Sequence, residues 1–467
     1  MSRDEIAPPH RSLWLESSLR DELDAPVLAG RSCVDVAIVG GGYVGLWTAL
    51  RIKELEPDCR VAVLERDICG GGASGRNGGF VLSWWPKYPS LVKAFGADEA
   101  LGLVRASEDA IDSIGSFCDR NGIDAHFTQA GWLWTATSAA QENSWETVVA
   151  KAETLSPGTF ARLDPGEVAK RAGSSAHRAG VLERRAATVQ PAALVRGMRR
   201  IALDRGVRIF EHTKVERFSR AHPLIVETSS GSIAASAIVL ATNAWAIGVP
   251  ELSRAIAVIS SDIVATAPMP DRLAEIGWTG GECITDSKMM VCYYRTTRDG
   301  RIAFGKGGWG LVYGDRIGPS LDRDRERAAL VTRELRRYYP MLADVPVTHD
   351  WCGAIDRSTD GLPVIGTIGP SAAVHFGIGW SGNGVGPSVV GGKILASLAL
   401  GRKDEWSSCG LVNRRTGAFP PEPIRYLGAH VVRKAVLAKE EAEMDGRVPS
   451  PVAVRLARLA PAGLEDK

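Results

Sequence analysis

The sequence predicts an α/β (α+β) fold. A parallel, Rossmann-like domain is assembled from separated stretches of chain, a mostly antiparallel-sheet domain is set into it, and a helical extension follows. Three observations carry this. Residues 34–65 read strand, glycine-rich turn, helix, strand. A strand-and-helix pattern returns near 188–215 and 238–245 after a long interruption. Residues 250–350 instead hold short alternating runs of the kind found in antiparallel sheets.

The first element, Val34 to Val39, is mostly apolar and rich in β-branched residues, as a buried strand should be. It runs into Gly40-Gly41-Gly42-Tyr43-Val44-Gly45, which satisfies G-x-G-x-x-G. Leu46 to Leu55 is expected to be a helix, and Arg60 to Leu64 a second strand ending in Glu65. Gly40 permits the tight turn, Gly42 lets a pyrophosphate approach the backbone, and Gly45 lets helix and strand pack closely. The helix N-terminus then faces the phosphates. Glu65 stands 20 residues after Gly45, placed to accept from ribose hydroxyls and to repel a 2′-phosphate, which disfavours NADP. The competing reading is a glycine-rich turn in some other α/β protein. It leaves the second strand and its terminal acid unexplained.

Composition narrows the class. A chain of 467 residues has room for about three domain-sized units. Its 45% apolar and 24% charged residues are ordinary for a globular protein. A net charge of +2 gives no reason to expect a nucleic-acid partner. No run of 18 apolar residues suggests a membrane span. The polar start, without an apolar h-region, predicts no secretory signal and hence a cytoplasmic protein. The eight cysteines show no C-x-x-C or other metal-ligand spacing and are expected to be reduced, mostly buried thiols. No metal site is expected.

Residues 1–32 form an N-terminal extension in which Ser12-Leu13-Trp14-Leu15 either docks on the core or trails free. After Glu65 comes Gly70-Gly71-Gly72-Ala73-Ser74-Gly75-Arg76-Asn77-Gly78-Gly79-Phe80, too dense in glycine for regular structure. It offers backbone N–H groups, one fixed cation and one amide, a surface suited to a flavin ring and phosphates. The two glycine-rich stretches together resemble the FAD-binding oxidoreductases of the D-amino-acid oxidase superfamily. Within it the similarity is to the glycine oxidase, sarcosine oxidase and γ-glutamylputrescine oxidoreductase branch.

Further along, 91–125 and 141–155 are helical in pattern, with a strand at 131–136 between them. Thr188 to Ala192 leads into a helix over 194–205 and a strand over 206–210. Ile238 to Trp245 reads as a strand ending at a turn and resembles the family's third cofactor signature. Cys283 to Arg295 and Gly300 to Gly308 are expected strands of the antiparallel sheet, and 328–339 a helix. Val374 to Gly379, the turn Trp380-Ser381-Gly382-Asn383-Gly384-Val385 and a helix over 386–400 resemble the family's C-terminal flavin motif. That helix N-terminus would stabilise negative charge on the flavin. The resemblance covers about residues 33–402. It implies an FAD-binding domain from 33–90, 170–250 and 351–402, a substrate domain from 91–169 and 251–350, and a C-terminal helical extension over 403–467. Two basic, amphipathic helices, near 425–443 and 450–460, are expected to pack on the body or on a second subunit rather than on a membrane.

Cofactor contacts follow from the resemblance: Gly40, Gly42, Tyr43, Val44, Gly45, Glu65, Arg66, Gly72, Ala73, Ser74, Arg76, Asn77, Gly78 and Gly79 at the N-terminal motifs. Val215 is added through its backbone at the adenine, with Thr242, Asn243 and Trp245, then Gly353, Gly382, Asn383, Gly384 and Val385. The FAD is expected to be noncovalent. Where sarcosine oxidases tether flavin through a cysteine, an ungapped count reaches Gly353, beside Cys352, and attachment at Cys352 is not expected.

The family oxidises amines: hydride leaves the carbon next to nitrogen for flavin N5, and the imine is hydrolysed or cyclises. A dry pocket keeps the amine neutral. No base stands out. The arginine that clamps a substrate carboxylate in glycine oxidases counts to Ile355, with Arg357 two residues on as its substitute or as an ordinary surface arginine. The lysine that promotes reaction with oxygen in sarcosine oxidases counts to Ala303. Lys306 and Lys288 are nearby in sequence but are expected to be solvated, so either oxygen or another carrier can be the electron acceptor. A histidine common in the putrescine branch is replaced by Asn383. Candidate catalytic residues are therefore Asn383, Arg357, Tyr294 and Lys306. Candidate substrate contacts are Trp132, Tyr294, Arg295 and Trp380, with Trp84, Trp85, Trp134 and Trp309 mostly core. Losing the carboxylate clamp points away from simple α-amino acids, toward a glutamylated diamine, an N-alkyl amino acid or an aminophosphonate. Two other classes compete: an NAD-dependent dehydrogenase, disfavoured by the Gly72–Gly79 and Trp380–Val385 stretches, and a flavin-fold binding subunit of a larger complex.

Overall fold

The computed structural model describes residues 10–19, 24–314 and 316–461, and of Trp309 only the backbone. A six-stranded sheet runs in the order Val364–Ile368, Val374–Ile378, Ala237–Leu240, Val36–Val39, Val61–Leu64, Arg208–Phe210. All pairings are parallel except the first. The three middle strands bury every residue, which is why they read as continuous apolar runs. Val36, Ile38, Val61 and Val63 meet the helices Tyr43–Leu55 and Pro387–Ala399. Ala37, Val39, Ala62 and Leu64 meet Leu224, Val226 and Ile233 of a four-stranded sheet, order Gly30–Cys33, Gly231–Ala235, Leu224–Thr228, Val215–Phe218.

The second large sheet has eight strands: Val347–Ser358, Ile256–Thr266, Ile302–Leu311, Cys292–Thr296, Cys283–Thr285, Trp132–Ala136, Ala179–Glu183, Phe160–Leu163. Only Cys283–Thr285 with Trp132–Ala136 is parallel. The expected run over 283–295 is two strands with an irregular link, because only Ile284–Tyr294 and Thr285–Tyr293 register. The expected boundaries at 170 and 351 cut across this sheet: Ala179–Glu183 and Val347–Ser358 belong to it by hydrogen bonding.

Ser12-Leu13-Trp14-Leu15 docks. Ser12 caps the helix Leu13–Ser18 and donates to Gly75 O (2.5 Å), and Trp14 Nε1 donates to Asn77 O (2.9 Å). Trp14 and Leu15 are buried. The parts of the expected N- and C-terminal extensions at 1–9, 20–23 and 462–467 lie outside the described residues. The C-terminal helices, Ile424–Met444 and Pro451–Ala457, pack on the body through Val436 and Ala457 against Met289 and Met290. No described helix is long and apolar enough to cross a membrane. All eight cysteines are free, and six are buried.

Candidate active site

One cavity of about 1200 Å³ connects the two large sheets. It starts at the strand–turn–helix of the first motif. Gly40 takes a φ of +113°, and a Cβ there would lie 2.4 Å from Ala241 O. A Cβ on Gly45 would lie 2.0 Å from Gly40 O. Gly45 therefore does not line the cavity but lets the helix close on the strand, as its motif position requires. Gly42 does line it. Its missing Cβ leaves the backbone open beside Ser74 Oγ, which accepts from Tyr43 N at 2.9 Å.

Glu65 lines the cavity with its carboxylate held by Gly41 N (2.8 Å) and Asp67 N (2.9 Å). Burial pushes its pKa up while those two N–H groups pull it down. Arg66, Val215, Thr242, Asn243 and Trp245 line the same end, and the Arg66 guanidinium lies 5.0 Å from the Trp245 ring centroid. The Trp245 indole Nε1 is buried without a hydrogen-bond partner. A glycine cradle, a fixed carboxylate and an orphaned indole N–H fit the phosphates, ribose and base of a dinucleotide.

In the second glycine-rich stretch Gly72, Ala73, Ser74, Arg76, Asn77 and Gly78 line the cavity. Arg76 is 4% exposed and is committed to protein: Nε donates to Gly71 O, Nη1 to Cys352 O and Nη2 to His10 O. It fixes the loop rather than offering a free cation. Gly79 lies just outside the lining, because its backbone is pressed against Val189 O and the Arg295 guanidinium.

The C-terminal turn closes the other side. Gly353 and Arg357, on the strand Val347–Ser358, line the cavity, with Trp380, Gly382, Asn383, Gly384 and Val385 directly ahead of the helix Pro387–Ala399. Asn383 Nδ2 donates to Ser83 O (3.4 Å). Asp356, missed from the sequence, anchors this turn: its carboxyl accepts from Gly379 N (2.6 Å) and Trp380 N (3.1 Å). Burial outweighs those N–H groups and raises Asp356 to about 7. The folded protein then holds a proton between about pH 4 and 7 that the unfolded chain has lost, so this group makes stability fall as pH rises through that window. Relative to Asp356→Asn, the wild type should lose up to about 1.4 kcal/mol per pH unit there, read from denaturant midpoints at pH 5, 6 and 7.

At the substrate sheet the pleat decides which expectations hold. Tyr293 lines the cavity and its hydroxyl meets Ser261 Oγ at 2.6 Å. Tyr294, one residue on, points to the opposite face. It is fully buried, stacked 4.8 Å from Phe304 and in contact with His177 Nε2 at 2.5 Å. Tyr294 is therefore a core residue, and Tyr293 takes the position proposed for it. Arg295 does not reach the cavity either: Nε donates to Gly78 O, Nη2 to Val189 O, and the guanidinium lies over Trp14.

Lys306 faces away from the cavity, as its parity predicts, but it is not solvated. It is 2% exposed and donates to Met290 O. Lys288 is buried likewise and pairs with Glu334 at 2.8 Å. Their carboxylate partners come from elements distant in sequence. Cys352 Sγ is outside the lining, 2.8 Å from Asp262 Oδ1.

Trp132 and Trp380 line the cavity, while Trp84, Trp85 and Trp134 are core. Trp132 stacks on Trp134 at 5.0 Å and donates Nε1 to Thr285 Oγ1. Lys87, on the short turn Trp85–Lys87, was not anticipated. It is 4% exposed and lines the cavity with Leu82 and Pro86. Arg357 is no surface arginine: it is 3% exposed and donates Nη1 to Ser381 O (3.2 Å).

The sequence model of the family described as "FAD dependent oxidoreductase" (DAO) matches residues 35–398. The chain is 30% identical over 399 residues to the probable oxidoreductase OrdL of Rhizobium meliloti, covering 84% of this chain and 89% of that one. It is 27% identical to the γ-glutamylputrescine oxidoreductase of Escherichia coli, covering 85% and 91%. Among solved structures, glycine oxidase from Geobacillus kaustophilus superposes with a TM-score of 0.67 at 20% identity, covering 83% of this chain and 100% of that one.

Proposed function

Because the chain belongs to the DAO family of FAD-dependent oxidoreductases, we propose that it oxidises a small primary or secondary amine carrying an anionic group elsewhere in the molecule. The observation that carries this is the lining of the cavity between the C-terminal turn and the antiparallel sheet: the aromatic faces of Trp132, Tyr293 and Trp380 with two buried cations, Lys87 and Arg357. The relatives' names lend support: one is a γ-glutamylputrescine oxidoreductase, others are glycine oxidases.

FAD, when bound, accepts the hydride from the carbon next to the substrate nitrogen. The chain's part is binding and placement. Gly42, Ser74, Glu65 and Trp245 are suited to hold the phosphates, ribose and base. The aromatic walls exclude water, which favours the neutral amine. Arg357 and Lys87 draw the anionic end of the substrate, so that its amine is directed toward the ring site beside Gly353 and Asn383. A glutamylated diamine, an N-alkyl amino acid and an aminophosphonate all present such an end. With Cys352 turned to Asp262, the cofactor is held without a covalent bond, and acid precipitation should leave all flavin in the supernatant.

The test is anaerobic. Purified protein is mixed with ω-amines, N-methyl amino acids, D-amino acids and aminophosphonates while the visible flavin band is followed. Bleaching by one class identifies it, and admitting air then tests oxygen as acceptor. A flavin that no amine bleaches would remove the proposal. Lys87→Met and Arg357→Met should each raise KM about 10-fold or more for anionic amines, the scale of one lost charge-assisted hydrogen bond, with a smaller change for the corresponding uncharged amides.

A further inference from the structure

Residues 403–461 lie beyond the family-matched span of 35–398, yet their helices reach the cavity wall. Val436 and Ala457 pack with Met289 and Met290. Glu440, 5% exposed, accepts from Met290 N at 2.6 Å and lies 3.8 Å from Lys306 Nζ, which donates to Met290 O at 2.8 Å. Both backbone polar groups of Met290 thus go to one buried ion pair. Asp286 Oδ1 ties down the two ends of the same link through Lys288 N and Cys292 N. The sheet itself gives the link little: the ladder registers stop at Thr285–Tyr293 on one side and Cys292–Lys306 on the other, and beyond them one sheet bond, Gly307 N to Val291 O (3.2 Å), reaches the link. Met289 and Val291, flanking Met290, line the cavity.

We propose that the C-terminal helices shape the substrate end of the cavity, with Glu440 as a positioning residue that acts through the Met290 backbone on Met289 and Val291. The consequence for ligands rests on the amine reading; the coupling itself does not. A segment fixed by buried side chains rather than by ladder bonds moves when one of them is withdrawn. Removing the Glu440 carboxylate takes the acceptor from Met290 N–H and one of the carboxylates near Lys306 together. Methionine then reconforms readily, and the space beside Tyr293 changes shape.

The test uses the full-length, FAD-loaded protein with Glu440→Leu, Glu440→Gln and the milder Val436→Ala. Amide exchange over 286–292 should quicken about 10-fold in Glu440→Leu, the factor for one lost buried hydrogen bond, with 40–45 unchanged. Glu440→Gln, which keeps an acceptor for Met290, should restore slow exchange. Across anionic amines of increasing chain length, KM for the longest should shift about 5-fold in Glu440→Leu and Val436→Ala with saturating flavin reduction within about twofold, the pattern of altered binding rather than chemistry. Unchanged exchange over 286–292 in Glu440→Leu and Val436→Ala overturns the proposal, as does a KM change that is equal at every length. If no amine reduces the wild type, the amine reading falls and the exchange result alone decides the positioning role.

Discussion

Glu211→Ala should unfold with about 3–5 kcal/mol less stability than the wild type, the cost of leaving buried charge without its partner. Glu211 follows the strand Arg208–Phe210 and is fully buried. It accepts from Arg196 Nη1 (2.8 Å) and from Arg199 Nε and Nη2 (3.0 and 2.9 Å), both on the helix Pro191–Asp204. It also accepts from Ala25 N (2.6 Å) and Cys69 N (2.7 Å). Burial alone would raise its pKa, but the two backbone donors and two guanidinium groups together hold it below the usual glutamate range. The stabilisation is therefore present at neutral pH and is lost as pH falls below that range. Because Cys69 opens the Gly70–Gly79 loop, the variant should also lose flavin on dilution. Removing Glu153, whose pair with Arg162 is largely exposed, should cost well under about 1 kcal/mol and serves as the control. Denaturant titrations with and without added FAD would measure both effects.

Gly42→Val should abolish stable FAD binding, weakening affinity by about 100-fold or more, or about 2.7 kcal/mol. Gly42 is where the fingerprint brings backbone nearest to a pyrophosphate. A Cβ there would lie 2.8 Å from Ser74 Oγ, which itself caps Tyr43 N. The valine branches would fill the part of the cavity that Gly42 opens, and the Ser74 hydroxyl would have to leave its donor. Gly42 is neither in a positive-φ conformation nor pressed against backbone, so apoprotein stability should fall only by about 1 kcal/mol, the scale of the lost Tyr43–Ser74 hydrogen bond. That distinguishes it from Gly45, where a Cβ meets Gly40 O at 2.0 Å and the fold itself would fail. The flavin-to-protein absorbance ratio after gel filtration, with thermal unfolding of the apoprotein, separates the two.

The sequence by itself determined the parallel domain and its cofactor fingerprint. Its central strands are wholly buried and read as apolar runs, its turn needs glycine at fixed positions, and the first helix starts within the glycine motif, at Tyr43. These are local requirements, written in contiguous residues, and the family resemblance extended them to the turn at Gly382–Val385. Tertiary structure alone decided the rest. Whether Tyr293 or Tyr294 faces the cavity depends on the pleat register of Cys292–Thr296 between Cys283–Thr285 and Ile302–Leu311, and a slip of one residue exchanges the two. Whether Lys306 and Lys288 are solvated depends on carboxylates at Glu440 and Glu334, supplied by helices distant along the chain. Lys87 and Asp356 carried no motif and became site residues only when the Trp85–Lys87 turn and the strand Val347–Ser358 met across the cavity. Glycine and apolar patterning state what the nearby backbone must do; which buried charge meets which is fixed only when segments far apart in sequence pack together.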